Sequence, residues 1–333
     1  MRIVVALGGN ALLPRGEVLS MENQQKAILS AARALADAVY AGHHLVITHG
    51  NGPQVGLLAL QSQAGPAGGA MPLDVLGAQS EGWIGYVLEL ALSNAFPEGA
   101  AVVTVLTQTL VDGNDPAFAR PVKPIGPVYE EEAAQRLQAL QKWPMVKDGK
   151  GWRRVVASPK PLGIVEILSI KRLINSGVTV ICAGGGGIPV RAGADGKLVG
   201  VEAVVDKDLT GALLARQAEA DFFVMLTDVP GVYLDYGGKE QRIIASGGPK
   251  AMLAHAAAFQ AGSMGPKVEA ACAFVQETGQ PAAIGALADL TEIIAGRRGT
   301  QISPQGGKIS FHYPDAVEPR STNAAGGFAK LYF

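Results

Sequence analysis

Two cysteines in 333 residues, Cys182 and Cys272, exclude a disulfide framework, and their separation excludes a thiolate metal cluster. Both sit in apolar runs, Val-Thr-Val-Ile-Cys and Ala-Ala-Cys-Ala-Phe, and read as buried, reduced thiols. An excess of either charge sign is also lacking: 28 Lys and Arg face 29 Asp and Glu, a formal net charge of -1. No global field therefore recruits nucleic acid or an anionic membrane, and any basic chemistry must be local. Long hydrophobic runs are missing as well. No stretch approaches the roughly 18 apolar residues of a membrane span, and no basic segment followed by an apolar core marks a signal peptide. These absences predict a cytoplasmic protein with no membrane or nucleic-acid partner.

The chain does hold enough apolar material for a large core, with 48% hydrophobic and 17% charged residues and a mean hydropathy of +0.21. Short apolar runs alternate with helical patterns throughout. Arg2 to Leu7 reads as a strand covered on both faces, and Ser20 to Ala41 as a helix ending at Gly42. Further strands are predicted at Leu45 to Thr48, Ala101 to Leu106, Val178 to Ala183, Phe222 to Leu226 and, as the last core strand, Pro281 to Ile284. Helices are predicted from about Leu73 to Asn94, after Val204-Val-Asp-Lys-Asp-Leu and ending near Ala218, near Pro249 to Ala257, and from Pro266 to Glu277. Strands alternating with crossover helices predict an α/β fold with a mainly parallel sheet between two helical layers.

Three strands run into glycine: Gly8-Gly9-Asn10, Gly50-Asn51-Gly52-Pro53 and Gly184-Gly-Gly-Gly-Ile-Pro189. Glycine lets backbone N–H groups approach a ligand, and Pro53 suits a first helical turn whose amides point the same way. In α/β sheets such turns lie beyond the carboxyl ends of the strands, where ligands bind. A small-anion site is one reading of these turns, and tight turns without a ligand are the other.

Residues 116–161 break the rhythm. They hold seven prolines and nine basic residues, among them Lys123, Arg153 and Arg154, against four acids. A segment so different reads as an inserted subdomain, either a basic lid over an anion or a solvated excursion. Its neighbours show no familiar nucleotide motif. No Gly-Lys is followed by Ser or Thr, which excludes the P-loop. Gly50 to Gly56 resembles a dinucleotide fingerprint, but Asp74 follows a Gly/Pro loop where the ribose-binding acid should end a second strand.

Gly8-Gly-Asn-Ala-Leu12, His49-Gly-Asn-Gly-Pro-Gln-Val-Gly56, Lys123-Pro-Ile-Gly-Pro127, Ala183-Gly-Gly-Gly-Gly-Ile-Pro189, Val205-Asp-Lys-Asp208 and Gly262-Ser-Met-Gly-Pro-Lys267 stand in the order and approximate spacing of the carbamate kinases. The resemblance covers roughly residues 1–304. It implies the amino acid kinase fold, a three-layer αβα sandwich with a protruding lid subdomain. It also implies an Mg2+-requiring phosphotransferase that interconverts ATP and carbamate with ADP and carbamoyl phosphate, acting as a homodimer, with ATP synthesis in arginine catabolism as the expected role. The expected division is an N-terminal carbamate- and phosphoryl-binding lobe over 1–200, with the lid at 116–161, a nucleotide-binding lobe over 201–304, and an aromatic extension of unknown role over 305–333.

Carbamate is already an anionic oxygen nucleophile, so its phosphorylation requires positioning and charge neutralisation with no general base. Lys123, Lys207, Asp208 and Lys267 are the catalytic candidates, Lys207 bridging the phosphoryl oxygens and Lys123 carrying charge from the lid. Gly8, Gly9, Asn10, Gly50, Asn51 and Gly52 are the substrate and phosphoryl-binding candidates. Lys207, Asp228, Tyr233, Met264, Gly265 and Lys267 are the nucleotide-binding candidates. No metal ligand is assigned. Plainer readings stand beside these: a surface ion pair for Lys207, a solvated charge for Lys267, packing for Tyr233 and for His49. A sibling enzyme for another small acid or a nucleoside monophosphate, and a silent nucleotide sensor, are the competing functions.

Overall fold

The computed structural model describes residues 1–13, 17–64, 71–259 and 264–312. Its centre is a ten-stranded sheet. Six neighbouring strands run parallel, in the order Ala282–Ala286, Phe222–Thr227, Arg2–Leu7, His44–His49, Thr179–Cys182 and Val102–Val105. The first strand explains why the segment is apolar without a break. Ile3, Val5 and Leu7 face one core, Val4 and Ala6 the other, and all five are at most 4% exposed. Alternate side chains point to opposite faces, so a strand covered twice has no polar position. Each fully buried Ile, Val or Leu stabilises by about 1.5–3 kcal/mol.

Helices Met21–Tyr40 and Leu73–Ala95 cover one face, and Ile167–Asn175, Lys207–Gln217 and Met264–Thr278 the other, giving three layers. The helix Met21–Tyr40 starts where Ser20 Oγ accepts from Asn23 N at 3.2 Å and stops before Gly42, whose φ of +81° few other residues tolerate.

One sequence expectation is corrected here. Ala282–Ala286 is not the last core strand: Thr300–Ile302 lies between it and Arg242–Gly247, antiparallel to the first and parallel to the second. Three residues are too short for a periodic signal, although Thr300 and Ile302 are fully buried. The beginning of the aromatic extension also joins this sheet, with Ser310–Phe311 paired to Arg242–Gly247 and the Phe311 ring 4.1 Å from the Arg242 guanidinium. Residues 313–333 lie outside the described residues.

Residues 123–156 build a sheet of their own, with Gly151–Val156 between Lys123–Tyr129 and Met145–Asp148, plus the helix Glu131–Gln141. It docks on the helix Gly52–Gln63 through a small apolar cluster including Val55, Ala59, Ile125 and Val156. The backbones touch there: a Cβ on Gly56 would stand 2.3 Å from Gly126 Cα.

Candidate active site

Four adjacent parallel strands end side by side, and their exits form one wall of a cleft of about 630 Å³. Gly8 and Gly9 follow the first, Gly50 to Gly52 the second, Gly185 the third and Thr227 the fourth. The close approach demands glycine. A Cβ on Gly8 would lie 2.7 Å from Leu226 O, and one on Gly50 would lie 3.2 Å from both Gly9 N and Lys207 Cδ. The opposite wall comes from the small sheet, with Lys123, Pro124, Ile125, Asp148 and Arg153.

The floor carries the charge. Asp206 caps the helix Lys207–Gln217, its Oδ1 accepting from Asp208 N at 2.9 Å and Leu209 N at 3.2 Å. This capping turn aims Lys207 and Asp208 into the cleft. Lys207 Nζ donates to Asp208 Oδ1 at 2.9 Å, and Lys267 Nζ reaches both oxygens of the same carboxylate, at 3.1 and 2.8 Å. Lys123 Nζ crosses from the small sheet to Asp206 Oδ2 at 2.6 Å.

These contacts set the protonation states. Burial alone would raise the Asp208 carboxyl, but Lys207 and Lys267 outweigh it and hold it well below the usual carboxylate range. Burial likewise opposes the Asp206 carboxylate, and Lys123 keeps it below its ordinary value. Lys267 is pushed down to about 8, first by burial and then by Lys207, whereas Asp208 holds the Lys207 ammonium up against its own burial. Two cations share one anion, which leaves the floor positive and ready for an anionic ligand.

Of the sequence candidates, Lys123, Lys207, Asp208, Lys267, Gly8, Gly9, Gly50, Asn51 and Gly52 all line this one cleft. Asn10 belongs to the short helix Gly9–Leu12, and its side chain lies outside the described residues. Asp228, Tyr233, Met264 and Gly265 do not line it. Asp228 is exposed and accepts from Thr227 Oγ1 at 3.0 Å; Tyr233 packs edge-on against Tyr236, centroids 5.3 Å apart. Met264 and Gly265 open the helix that carries Lys267, while residues 262–263 of that motif lie outside the described residues. Asp74 opens a helix and ends no strand, as the case against a dinucleotide site requires.

Of the groups behind the wall, sequence reasoning missed Glu81, whereas the packed reading of His49 holds. Glu81, 1% exposed, accepts from Gly184 N at 2.8 Å and Thr107 N at 3.1 Å, and burial pushes its carboxyl up to about 8. His49 is equally buried, its Nδ1 3.1 Å from Gly50 O, and burial pulls it down to about 4, so it is neutral and packed. Arg153, which the sequence marks only as one basic residue of the segment, and Asp148, which it does not mark, pair at 3.2 Å in the cleft wall. A charge in a basic segment gives no sequence signal of which way it faces.

A three-layer sandwich whose parallel strands end at glycine turns facing paired lysines defines the amino acid kinase class, and the Amino acid kinase family matches residues 1–286. The chain is 51% identical over 314 residues to carbamate kinase of Rhizobium meliloti, covering 94% of this chain and 96% of that one. It is 48% identical to carbamate kinase of Haemophilus influenzae over 94% and 100% of the two chains. The carbamate kinase from Giardia lamblia bound to AMP-PNP superposes with a TM-score of 0.82 at 42% identity, over 91% of this chain and 98% of that one. Within the amino acid kinase family, the chain belongs to the carbamate kinases.

Proposed function

We propose that the protein transfers the γ-phosphoryl group of ATP to carbamate, giving carbamoyl phosphate and ADP, and runs the reverse reaction. The observation that carries this reading is the convergence of Lys123, Lys207 and Lys267 on a cleft whose other wall is glycine backbone. A carbamate oxygen attacks phosphorus, the bond to the ADP oxygen breaks, and no proton moves. Phosphoryl transfer of this kind is helped by positioning and by charge placed where the oxygens gather it. Lys207 and Lys267 neutralise the transferring phosphoryl group, Asp208 holds the two ammonium groups together, and Lys123 neutralises carbamate from the small sheet, which acts as a lid. Gly9 and Gly52 offer backbone N–H groups to the same oxygens, while the N–H groups of Gly8 and Gly50 donate to Leu226 O and Leu7 O and hold the two turns in place.

Mg2+ enters as part of the MgATP substrate. Among the described residues no group of three His, Cys, Asp or Glu side chains forms a metal cage. The cleft carboxylates Asp206 and Asp208 are engaged by lysines, which suits an ion that arrives on nucleotide phosphates. Asp228, Tyr233, Met264 and Gly265 lie on the C-terminal side, where the nucleoside would extend from Lys267. The described residues hold no helix long and apolar enough to cross a membrane. A cytoplasmic homodimer making ATP in arginine catabolism is the setting this reading implies.

The test is direct. Folded protein supplied with carbamoyl phosphate and MgADP forms ATP, read through a coupled assay; no ATP from well-folded protein overturns the reading.

A further inference from the structure

Asn51 occupies the position before the helix Gly52–Gln63, where an asparagine ordinarily caps the helix with its side chain, yet it makes no such bond. Its carboxamide turns the other way: Nδ2 donates to Ser80 Oγ at 2.8 Å. Ser80 Oγ gives its own proton to Gly77 O at 2.8 Å, so towards Asn51 it can only accept. This relay fixes which end of the carboxamide is which. Ser80 is fully buried in the helix Leu73–Ala95, and the carboxamide is pressed against Gly185, where a Cβ would lie 2.1 Å from Nδ2. The carboxamide cannot swivel, and among the described residues none donates a hydrogen bond to Oδ1, in a residue that lines the cleft.

An acceptor is scarce there. The lining carboxylates all hold cations: Asp206 holds Lys123, Asp208 holds Lys207 and Lys267, and Asp148 holds Arg153. Ammonium groups and glycine N–H groups are donors only. Carbamate and carbamoyl phosphate differ from other small carboxylates and acyl phosphates in bearing an NH2 group, which is left unpaired in such a cleft unless an acceptor meets it. We propose that Asn51 Oδ1 accepts a hydrogen bond from the substrate's carbamoyl nitrogen, and that Ser80 is the positioning residue that keeps this oxygen turned to the cleft. The pair thus selects an amino-bearing acyl group over its methyl counterpart, a step that rests on the phosphoryl-transfer reading above.

Acetyl phosphate is the probe, because it replaces NH2 by CH3 at nearly constant shape. The measurement is kcat/KM for ATP formation from MgADP with carbamoyl phosphate and with acetyl phosphate; where acetyl phosphate is not turned over, its inhibition constant against carbamoyl phosphate serves. The wild type favours carbamoyl phosphate. Asn51→Ala and Ser80→Ala each lower that preference about tenfold or more, the worth of one lost hydrogen bond to a buried partner. Asn51→Asp keeps an oxygen towards the cleft and adds a repulsive charge felt by both substrates, so both values fall and the preference survives. Thr227→Val, at the other uncharged side-chain acceptor among the described lining residues, leaves the preference intact. Equal losses with both substrates in Asn51→Ala and Ser80→Ala, or a preference that moves only with Thr227→Val, overturn the assignment while the activity stands. A wild type that makes no ATP from carbamoyl phosphate overturns the activity and the assignment together.

Discussion

Lys123 Nζ and Asp206 Oδ2 lie 2.6 Å apart, joining the small sheet to the residue that caps the helix bearing Lys207 and Asp208. Asp206 therefore does two things with two oxygens: Oδ1 caps and Oδ2 holds the incoming cation. The two can be separated by substitution. Asn at position 206 keeps a capping oxygen but carries no charge, so Asp206→Asn should melt close to the wild type. Asp206→Ala should lose about 0.5–2 kcal/mol with the cap. With its counter-ion gone, Lys123 no longer has to leave an ion pair to meet the substrate, and KM for carbamoyl phosphate should fall in Asp206→Asn. A raised KM would show that Asp206 holds Lys123 in its working place.

Lys207 and Lys267 differ in burial, with 22% and 9% of their side chains exposed, and this separates their roles in a mutation series. Lys207→Ala leaves Asp208 paired with Lys267, so the fold should survive while turnover drops by orders of magnitude. Near-normal turnover would remove Lys207 from the mechanism. Asp208→Asn leaves two ammonium groups facing each other near a buried site and should cost stability as well, about 3–5 kcal/mol for breaking a buried pair. Thermal melts alongside initial rates distinguish the two variants.

Glu81 gives the protein a pH signature. Its carboxyl is raised from 4.5 to about 8, so in that interval the native state holds a proton that the unfolded chain has released. Stability then falls as pH rises towards 8. His49, lowered from 6.5 to about 4, works in the opposite direction: the unfolded chain binds the extra proton, and stability rises with pH up to about 6.5. Between pH 6.5 and 8 only the Glu81 contribution remains of the two. Over that window the wild-type melting temperature should decline more steeply than that of Glu81→Gln, and parallel curves would refute the burial argument.

The layered fold was legible because its signals are local. An unbroken apolar run such as Ile3 to Leu7 declares a twice-covered strand, and a glycine pair after it declares the exit. Lys207 and Lys267 were legible as residue types in motifs, but their common partner was not, because the Lys267–Asp208 contact joins segments 59 positions apart. The acid that orients Lys207 proves to be Asp208, while its other neighbour Asp206 turns to Lys123. Ser80 and Glu81 were invisible for a different reason. On a helix with apolar neighbours they read as ordinary polar positions, and only the packed structure shows that they hold the glycine turns from behind.

Gly56 shows how such non-local geometry can be tested. It sits in the interior of the helix Gly52–Gln63, where alanine would ordinarily be favoured by about 1 kcal/mol. Here the Cβ would meet Gly126 Cα at 2.3 Å and Gly126 N at 2.7 Å, backbone atoms with no rotamer to change. Gly56→Ala must therefore move the small sheet away from the helix, at about 1–3 kcal/mol for overpacking. Lys123 begins the strand that contains Gly126, so the displacement should carry the ammonium away from the cleft. The expected result is a lower melting temperature and a higher KM for carbamoyl phosphate. Gly77→Ala is the matched control, since it too lies in a helix but a Cβ there meets nothing within 4 Å. Its KM should be that of the wild type and its stability equal or greater. If Gly56→Ala behaves like Gly77→Ala, the small sheet does not depend on this backbone contact to bring Lys123 to the cleft.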